Sequence, residues 1–286
     1  MSKAARLLNT AQPAVSRAIS DLEHVLGVPV LDRSSRGVEA TKYGRSLLDC
    51  GAVVFNDLRQ GVKAIDALAD PSLGEVRLAG GEPQVAGLVP AIFSRVRGRF
   101  PGISIHFLQG VMVAQQMSAL RERRVDLILG RLSETTGADF QQQELFQERT
   151  VVVAGIDSLW CRRRKLSFSE LANEAWALPA PESQAGTIFA QAFRKSGFDY
   201  PSRNVAFGPI HLHVTLAASG QFLAILPGSL LRFGAHRLAL KVLPVASPVP
   251  PWPVGITTLR NRTLPPAAQL FVECAREVVK VLAKTK

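Results

Sequence analysis

Apolar positions in residues 12–26 recur at helical spacing. At about 100° per residue, Ala14, Val15, Ala18, Ile19, Leu22, Val25 and Leu26 fall within one arc. Gln12, Pro13, Ser16, Arg17, Ser20, Asp21, Glu23 and His24 fill the remainder. The split predicts an amphipathic helix docked by one face on a small core. Thr10 is placed to cap it, and Pro13 lies in its first turn, where a missing N–H costs nothing. Residues 2–8 predict a shorter helix ended by Asn9, and Gly27 ends the longer one. Strand-like runs at 28–32 and 38–41 flank Arg33-Ser34-Ser35-Arg36-Gly37, which predicts a hairpin with two arginines at its tip.

A long helix follows over residues 45–69. Leu47, Phe55, Leu58, Val62, Ile65 and Ala69 form its stripe, and the last four follow the 4, 3, 4 spacing of a short coiled-coil seam. Such a helix either packs on its own domain or pairs two copies of the chain. Asp70-Pro71-Ser72-Leu73-Gly74 ends it and marks a boundary. Beyond Gly74 the pattern alternates. Strands are predicted at 75–79, 103–108 and 125–129, with helices at 85–99 and 113–123. A second series places strands at 150–154 and 222–226 and helices at 187–196 and 211–218. Pro-rich residues 244–253 read as a crossing back, before a strand at 254–259 and a helix at 265–283. This alternation predicts an α/β class with parallel sheets covered by helices on both faces. Two such lobes joined by two crossings make a periplasmic-binding-protein-like architecture.

The amino-terminal pattern carries its own chemistry. Helix, tight turn and longer helix, followed by a basic hairpin, is the winged helix-turn-helix arrangement, all-α with a β wing. Gln12, Pro13, Ser16 and Arg17 lie near the start of the second helix on its exposed face, where such side chains contact base edges and phosphates. Arg33 and Arg36 would carry the wing to the sugar-phosphate backbone or minor groove. The competing reading is an ordinary surface helix and a solvated basic turn.

Composition narrows the choice. Among 286 residues, 34 Lys and Arg against 23 Asp and Glu give a net charge of +11, which favours a polyanionic partner. No apolar stretch approaches a membrane span, and the amino terminus has no signal-peptide core, so a cytoplasmic protein with no membrane partner is expected. Cys50, Cys161 and Cys274 are widely spaced and fit packing roles rather than disulfides or zinc. Neither a P-loop nor a dinucleotide fingerprint, nucleophile elbow or zinc motif is present, so no catalytic residue, metal or cofactor is expected and the chain does not read as an enzyme. The run Arg162-Arg163-Arg164-Lys165 reads as a solvated loop or helix end.

Ala4-Ala5, Leu8, Ala11-Gln12-Pro13-Ala14-Val15-Ser16, Ile19, Leu22-Glu23, Leu26-Gly27-Val28, Leu31, Arg33, Thr41 and Gly44 together resemble a LysR-type transcriptional regulator, and the resemblance spans essentially the whole chain. Leu31 stands where that family most often has Phe. The resemblance implies a winged helix-turn-helix over 1–44, a linker and dimerisation helix over 45–73, and an effector domain over 74–286. Lobe I would comprise 74–148 and 254–286, and lobe II 149–253. It also implies a further helix ahead of the residue that is Ser2 here. The expectation is therefore that the functional start lies upstream, or that this is a short form that binds effector but grips DNA poorly. Exposing the Val15, Ile19 and Leu22 face would cost about 1.5–3 kcal/mol per side chain.

Ligands in such folds bind beyond the carboxyl ends of the strands, in the crevice between lobes. Gly81, Glu82, Gln84, Val111 and Arg131 are the expected effector-binding residues of lobe I, and Ser183 and His211 those of lobe II. Helix N-termini and Arg131 would suit an anionic effector. Glu182 would repel one and so either points outward or marks a polyol or cationic effector. A lone His-x-His such as His211 and His213 reads first as a capping and core pair, and as a ligand only second. Gly81-Glu82-Pro83 departs from the family's usual hydroxyl residue after the first strand. The function expected is a DNA-binding regulator controlled by a small organic effector of unknown identity, acting on double-stranded promoter dyads as a homodimer or homotetramer. The alternative is a cytoplasmic small-molecule-binding protein with a truncated, non-functional DNA head.

Overall fold

Two short helices open the chain in a computed structural model that describes residues 2–34, 37–69, 73–109, 112–133, 136–202, 205–234 and 239–283. They are α1 (Ser2–Leu7) and α2 (Gln12–Leu26). Asn9 takes a left-handed conformation (φ 48°), which Asn tolerates better than most residues, and the Thr10 amide donates back to the Ala5 carbonyl at 3.0 Å. That bond commits Thr10 to the turn. The N-cap of α2 is consequently Ala11, with no side-chain cap, and not Thr10 as the sequence suggested. Pro13 sits in the first turn and Gly27 closes the helix at φ 68°.

The hairpin pairs β1 (Leu31–Ser34) with antiparallel β2 (Gly37–Ala40). Arg33 therefore lies on a strand, opposite Val38, and not in the loop; Arg36 falls outside the described residues. Three residues of the LysR-like signature hold this corner. The Glu23 carboxylate accepts from the Val30 and Leu31 amides at 2.8 and 3.1 Å. The Thr41 hydroxyl donates to the Pro29 carbonyl and accepts from the Gly44 amide. Gly44 passes so close to the chain that a Cβ there would stand 2.0 Å from the Val30 carbonyl oxygen. Helix α3 (Lys42–Ala69) begins at this corner and carries the predicted stripe, with Leu58, Val62 and Ile65 exposed. The chain divides into two compact units, residues 1–62 with 121–123 and residues 63–120 with 124–286.

In the second unit each lobe is built on a five-stranded sheet. The lobe I sheet runs β4 (Ile103–Gln109), β3 (Gly74–Gly80), β5 (Leu127–Arg131), β12 (Trp252–Leu259), β6 (Phe140–Glu148). The lobe II sheet runs β11 (Leu240–Val242), β7 (Thr150–Gly155), β10 (Leu223–Pro227), β8 (Trp176–Leu178), β9 (Val205–Phe207). Period-two alternation covers both faces. Val76, Leu78, Leu127 and Leu129 pack under α5 (Leu88–Arg99) and α11 (Pro266–Ala283), while Ala79 and Ile128 face the opposite core with Leu120 of α6 (Val113–Arg121). In lobe II, Val152, Trp176, Leu178 and Ile225 face Leu171 of α7 (Phe168–Leu171) and Phe193 of α8 (Gln184–Lys195). Val153, Ala177 and Ala224 face Ile210 and Ala217 of α9 (Ile210–Ala218).

The sheets are mixed, which corrects the expectation of parallel ones. β3 is parallel to β4 and β5, and β8 to β9 and β10. β12 runs antiparallel to β5 and β6, and β7 to β10 and β11. The antiparallel strands are those that lead into or out of a lobe, where no crossover helix turns the chain round. The helix expected at 85–99 is two, because α4 (Glu82–Ala86) ends at Gly87 before α5 begins. A Cβ on Gly87 would come within 2.8 Å of the Leu230 Cα, at the start of α10 (Gly228–Gly234) in lobe II. Cys161 and Cys274 are buried in lobe cores, but Cys50 is exposed on α3, so it has no packing role; all three are free. Among the described residues no helix is long and apolar enough to cross a membrane.

The contact at Gly44 gives a direct test. Gly44→Ala must displace the Val30 carbonyl, which is backbone, and should cost at least about 2 kcal/mol in the amino-terminal unit. Urea unfolding followed by far-UV circular dichroism will show a lowered midpoint; an unchanged midpoint would remove the close approach as a constraint.

Candidate nucleic-acid interface and ligand cleft

The amino-terminal candidates gather at one helix end. Gln12, Pro13 and Arg17 are exposed on the first turn and a half of α2, with Ser16 half-buried beside them. The Ser2 hydroxyl donates to Gln12 Oε1 at 3.1 Å, so the start of α1 orients the amide of Gln12. The apolar face of α2 holds Val15 and Ile19 half-buried, whereas Val25 is 81% exposed.

In the second unit the candidates fall where parallel strands end. Gly81 follows β3 and is the N-cap of α4, Arg131 is the last residue of β5, and Ser183 and His211 stand at the starts of α8 and α9. Val111 lies outside the described residues. Two candidates meet directly. The Glu82 carboxylate accepts from His211 Nδ1 at 2.7 Å and from the Ile210 amide at 3.1 Å, with the His211 amide at 3.4 Å. The two partners are 129 residues apart and belong to different lobes. Burial pushes the Glu82 carboxyl upward, but its bonds to His211 and the two amides outweigh that and hold it below the ordinary carboxylate value.

The other candidates stand apart from that pair. Ser183 is spent on its own helix: its hydroxyl donates to the Ala180 carbonyl at 2.6 Å and accepts from the Gly186 amide at 3.0 Å. Gly186 is required there, since a Cβ would lie 1.8 Å from the same carbonyl oxygen. Gln84 is buried one turn beyond Gly81. The Arg131 guanidinium lies over the Trp252 ring at 5.3 Å, a cation–π contact at the start of β12. Glu182 is exposed. The two histidines divide: His211 is exposed, whereas His213 is buried and its Nε2 has no partner among the described residues. Burial pushes the His213 imidazole below its ordinary value.

One feature of the lobe junction escaped sequence reasoning. Glu148, last residue of β6, is buried where the chain first crosses between lobes. It accepts from the Ser229 amide at 3.1 Å and from the Ser229 hydroxyl, capping α10 from the other side of the crossing. Burial drives its carboxyl above the ordinary value. Beside it the Thr150 and Ser247 hydroxyls bond at 2.6 Å, joining the outgoing and returning crossings. The sequence signal was a Glu ending a polar strand and a Gly-Ser pair opening a helix; only the fold joins them.

Comparison with known proteins bears on both regions. Residues 1–45 match the family model described as "Bacterial regulatory helix-turn-helix protein, lysR family", and residues 69–280 match "LysR substrate binding domain". The HTH-type transcriptional regulator TdcA of Escherichia coli is 24% identical over 281 residues, covering 97% of this chain and 88% of TdcA. The solved structure of full-length CbnR complexed with its target DNA aligns with a TM-score of 0.68 at 18% identity, over 97% of this chain and 93% of CbnR. The BenM effector-binding domain with its effector benzoate aligns with a TM-score of 0.58 at 22% identity, over 74% of this chain and 95% of that domain.

The two carboxylates predict opposite pH dependences. Between the ordinary value and its raised folded value, Glu148 holds more protons folded than unfolded, so its contribution falls as pH rises through that window. Glu82, held low, contributes fully above the ordinary value and loses that contribution as pH falls through its folded value. Urea unfolding from about pH 3 to about pH 8 should show wild type losing ground to Glu148→Gln as pH rises, and losing ground to Glu82→Gln as pH falls. Differences that stay flat with pH would contradict both assignments.

Proposed function

The chain belongs to the LysR family of bacterial transcriptional regulators, and from that premise we propose that it recognises an interrupted promoter dyad through paired helix-turn-helix heads, under control of a small organic effector held between its two lobes. The observation that carries this reading is the order of the two family matches, a DNA-binding head ahead of an effector domain on one chain. The head comprises residues 1–44, the linker helix 45–73 and the effector domain 74–286, with lobe I over 74–148 and 254–286 and lobe II over 149–253. Gln12, Pro13, Ser16 and Arg17 read base edges and adjacent phosphates from the start of α2, whose exposed polar face fits a major groove. Arg33 and Arg36 serve the wing. The exposed Leu58, Val62 and Ile65 stripe of α3 pairs two chains as a homodimer, which assembles further into a homotetramer.

Gly81, Glu82, Gln84, Arg131, Ser183 and His211 line or shape the effector cleft. Arg131 on Trp252 and the start of α9 are its cationic and hydrogen-bond-donating features. Ser183 acts through the turn it caps. The relatives support a role in regulation and not in catalysis, since they are transcriptional regulators and one related domain holds benzoate as effector. Such a regulator works in the cytoplasm beside the chromosome. Closure of the lobes on an effector alters how dimers associate and hence how their heads are spaced on DNA.

A gel shift with the promoter region beside the chain's own gene, at two salt concentrations, tests this. Wild type should bind, and more weakly at the higher salt. Arg17→Ala should lose about 1–3 kcal/mol and relax preference at one base position. Arg33→Ala and Arg36→Ala should weaken all sequences alike and each reduce the salt slope by about 1. An unchanged salt slope in both would break the phosphate assignment, and no binding at either salt would overturn the regulator reading.

A further inference from the structure

Helix α9 starts without a cap of its own. Its N-cap is Pro209, which has no side-chain acceptor, and Gly208 before it has none either. The first-turn amides of a helix have no intrahelical partner and need an acceptor from elsewhere. Helix α8, which also starts at the cleft end of a lobe II strand, is served locally by Ser183. For α9 the acceptor comes from lobe I, because Glu82 spans the cleft to the Ile210 and His211 amides. One carboxylate oxygen takes the Ile210 amide, and the other takes both His211 Nδ1 and, at longer range, the His211 amide.

The placement of Glu82 is built rather than incidental. Gly81 turns the chain at the end of β3, and Pro83 fixes the first turn of α4, so Glu82 is held at the mouth of that helix. Its side chain is only 28% exposed, which removes most of the competing water. The α9 terminus therefore already holds an anion, and the anion belongs to the protein.

We propose that Glu82 and the start of α9 form an interlobe clasp, in which the chain supplies its own carboxylate to an anion-binding helix terminus, so that an anionic effector acts by exchange with Glu82. This rests on the reading of the cleft as the effector site. It sets a specificity rule: an anionic effector group must outcompete a tethered carboxylate for the same donors, whereas an uncharged ligand elsewhere in the cleft leaves the clasp closed. The tether raises the effective concentration of the internal anion, so weak anions fail and only those with further contacts in the cleft succeed.

Hydrogen exchange on the full chain tests the clasp without DNA and without knowledge of the effector. In Glu82→Ala the peptide covering Ile210 and His211 should exchange about tenfold faster than in wild type, because two donors lose a charged acceptor. Glu82→Gln, nearly isosteric, should also speed exchange, since its amide offers a neutral acceptor and adds donors. Millimolar sodium acetate should then restore protection to Glu82→Ala, with equal sodium chloride as the ionic control, and leave wild type unchanged. Equal exchange in wild type and both variants would overturn the clasp. Faster exchange that acetate rescues no better than chloride would overturn the anion-exchange rule. Either failure would leave the gel shift untouched, so it is separable from failure of the regulator reading.

Discussion

A carboxylate buried where the chain first crosses between its lobes is the point on which the effector domain is organised. Glu148 is both the last residue of a lobe I strand and the cap of a lobe II helix. Burying a charge there is costly unless donors meet it, and the Ser229 amide and hydroxyl do so. The returning crossing is registered on the same spot, since Trp252 pairs with Glu148 across β12 and β6. Ser247 on that return also bonds Thr150 on the way out. Two sheets that share no strand thus have a common corner. The cleft between them is defined by it, with Arg131 on Trp252 beside the corner and Glu82 reaching across to α9.

Much of this arrangement was legible in the residues, and the reasons for the remainder are physical. Helices α2, α3, α8 and α11 carry apolar stripes with breakers at their ends, and periodicity alone finds them to within a few residues. Strand β6 escaped because Phe140-Gln-Gln-Gln-Glu-Leu-Phe-Gln-Glu148 lacks clean alternation, being an edge strand with polar residues on both faces. Strands β8 and β9 have three residues each, too few for a period. The directions of β7 and β12 are not legible in the sequence, because direction depends on the path between lobes, which local pattern does not encode.

The same division holds for the site. Strand ends pointed to Glu82, Arg131, Ser183 and His211 one by one, yet not to their relations. Pairing Glu82 with His211 required two lobes to meet over a separation of 129 residues. Separating His211 from His213 required knowing that one face of the first turn of α9 meets the cleft and the opposite face the core. Trp252 was invisible as a platform for Arg131, because antiparallel pairing of β12 with β5 brings them together. Nothing in the sequence pattern assigns Glu23, Thr41 and Gly44 a contact. The bonds of Glu23 to Val30 and Leu31, that of Thr41 to Pro29 and the close pass of Gly44 by Val30 give each a mechanical reason to be what it is.

The close approach of Gly87 to Leu230 has a consequence for leverage. With backbone against backbone and no side chain between, the two lobes meet here at a contact that cannot be compressed. Glu82 stands only the length of α4 away, five residues or about 7.5 Å. Any rotation about that contact would move Glu82 through a short arc and the far rim of the cleft through a longer one. A shift of a few tenths of an ångström at the carboxylate, enough to weaken a charged hydrogen bond, becomes a larger swing at the periphery. The mechanical gain comes from where a side chain has been left out.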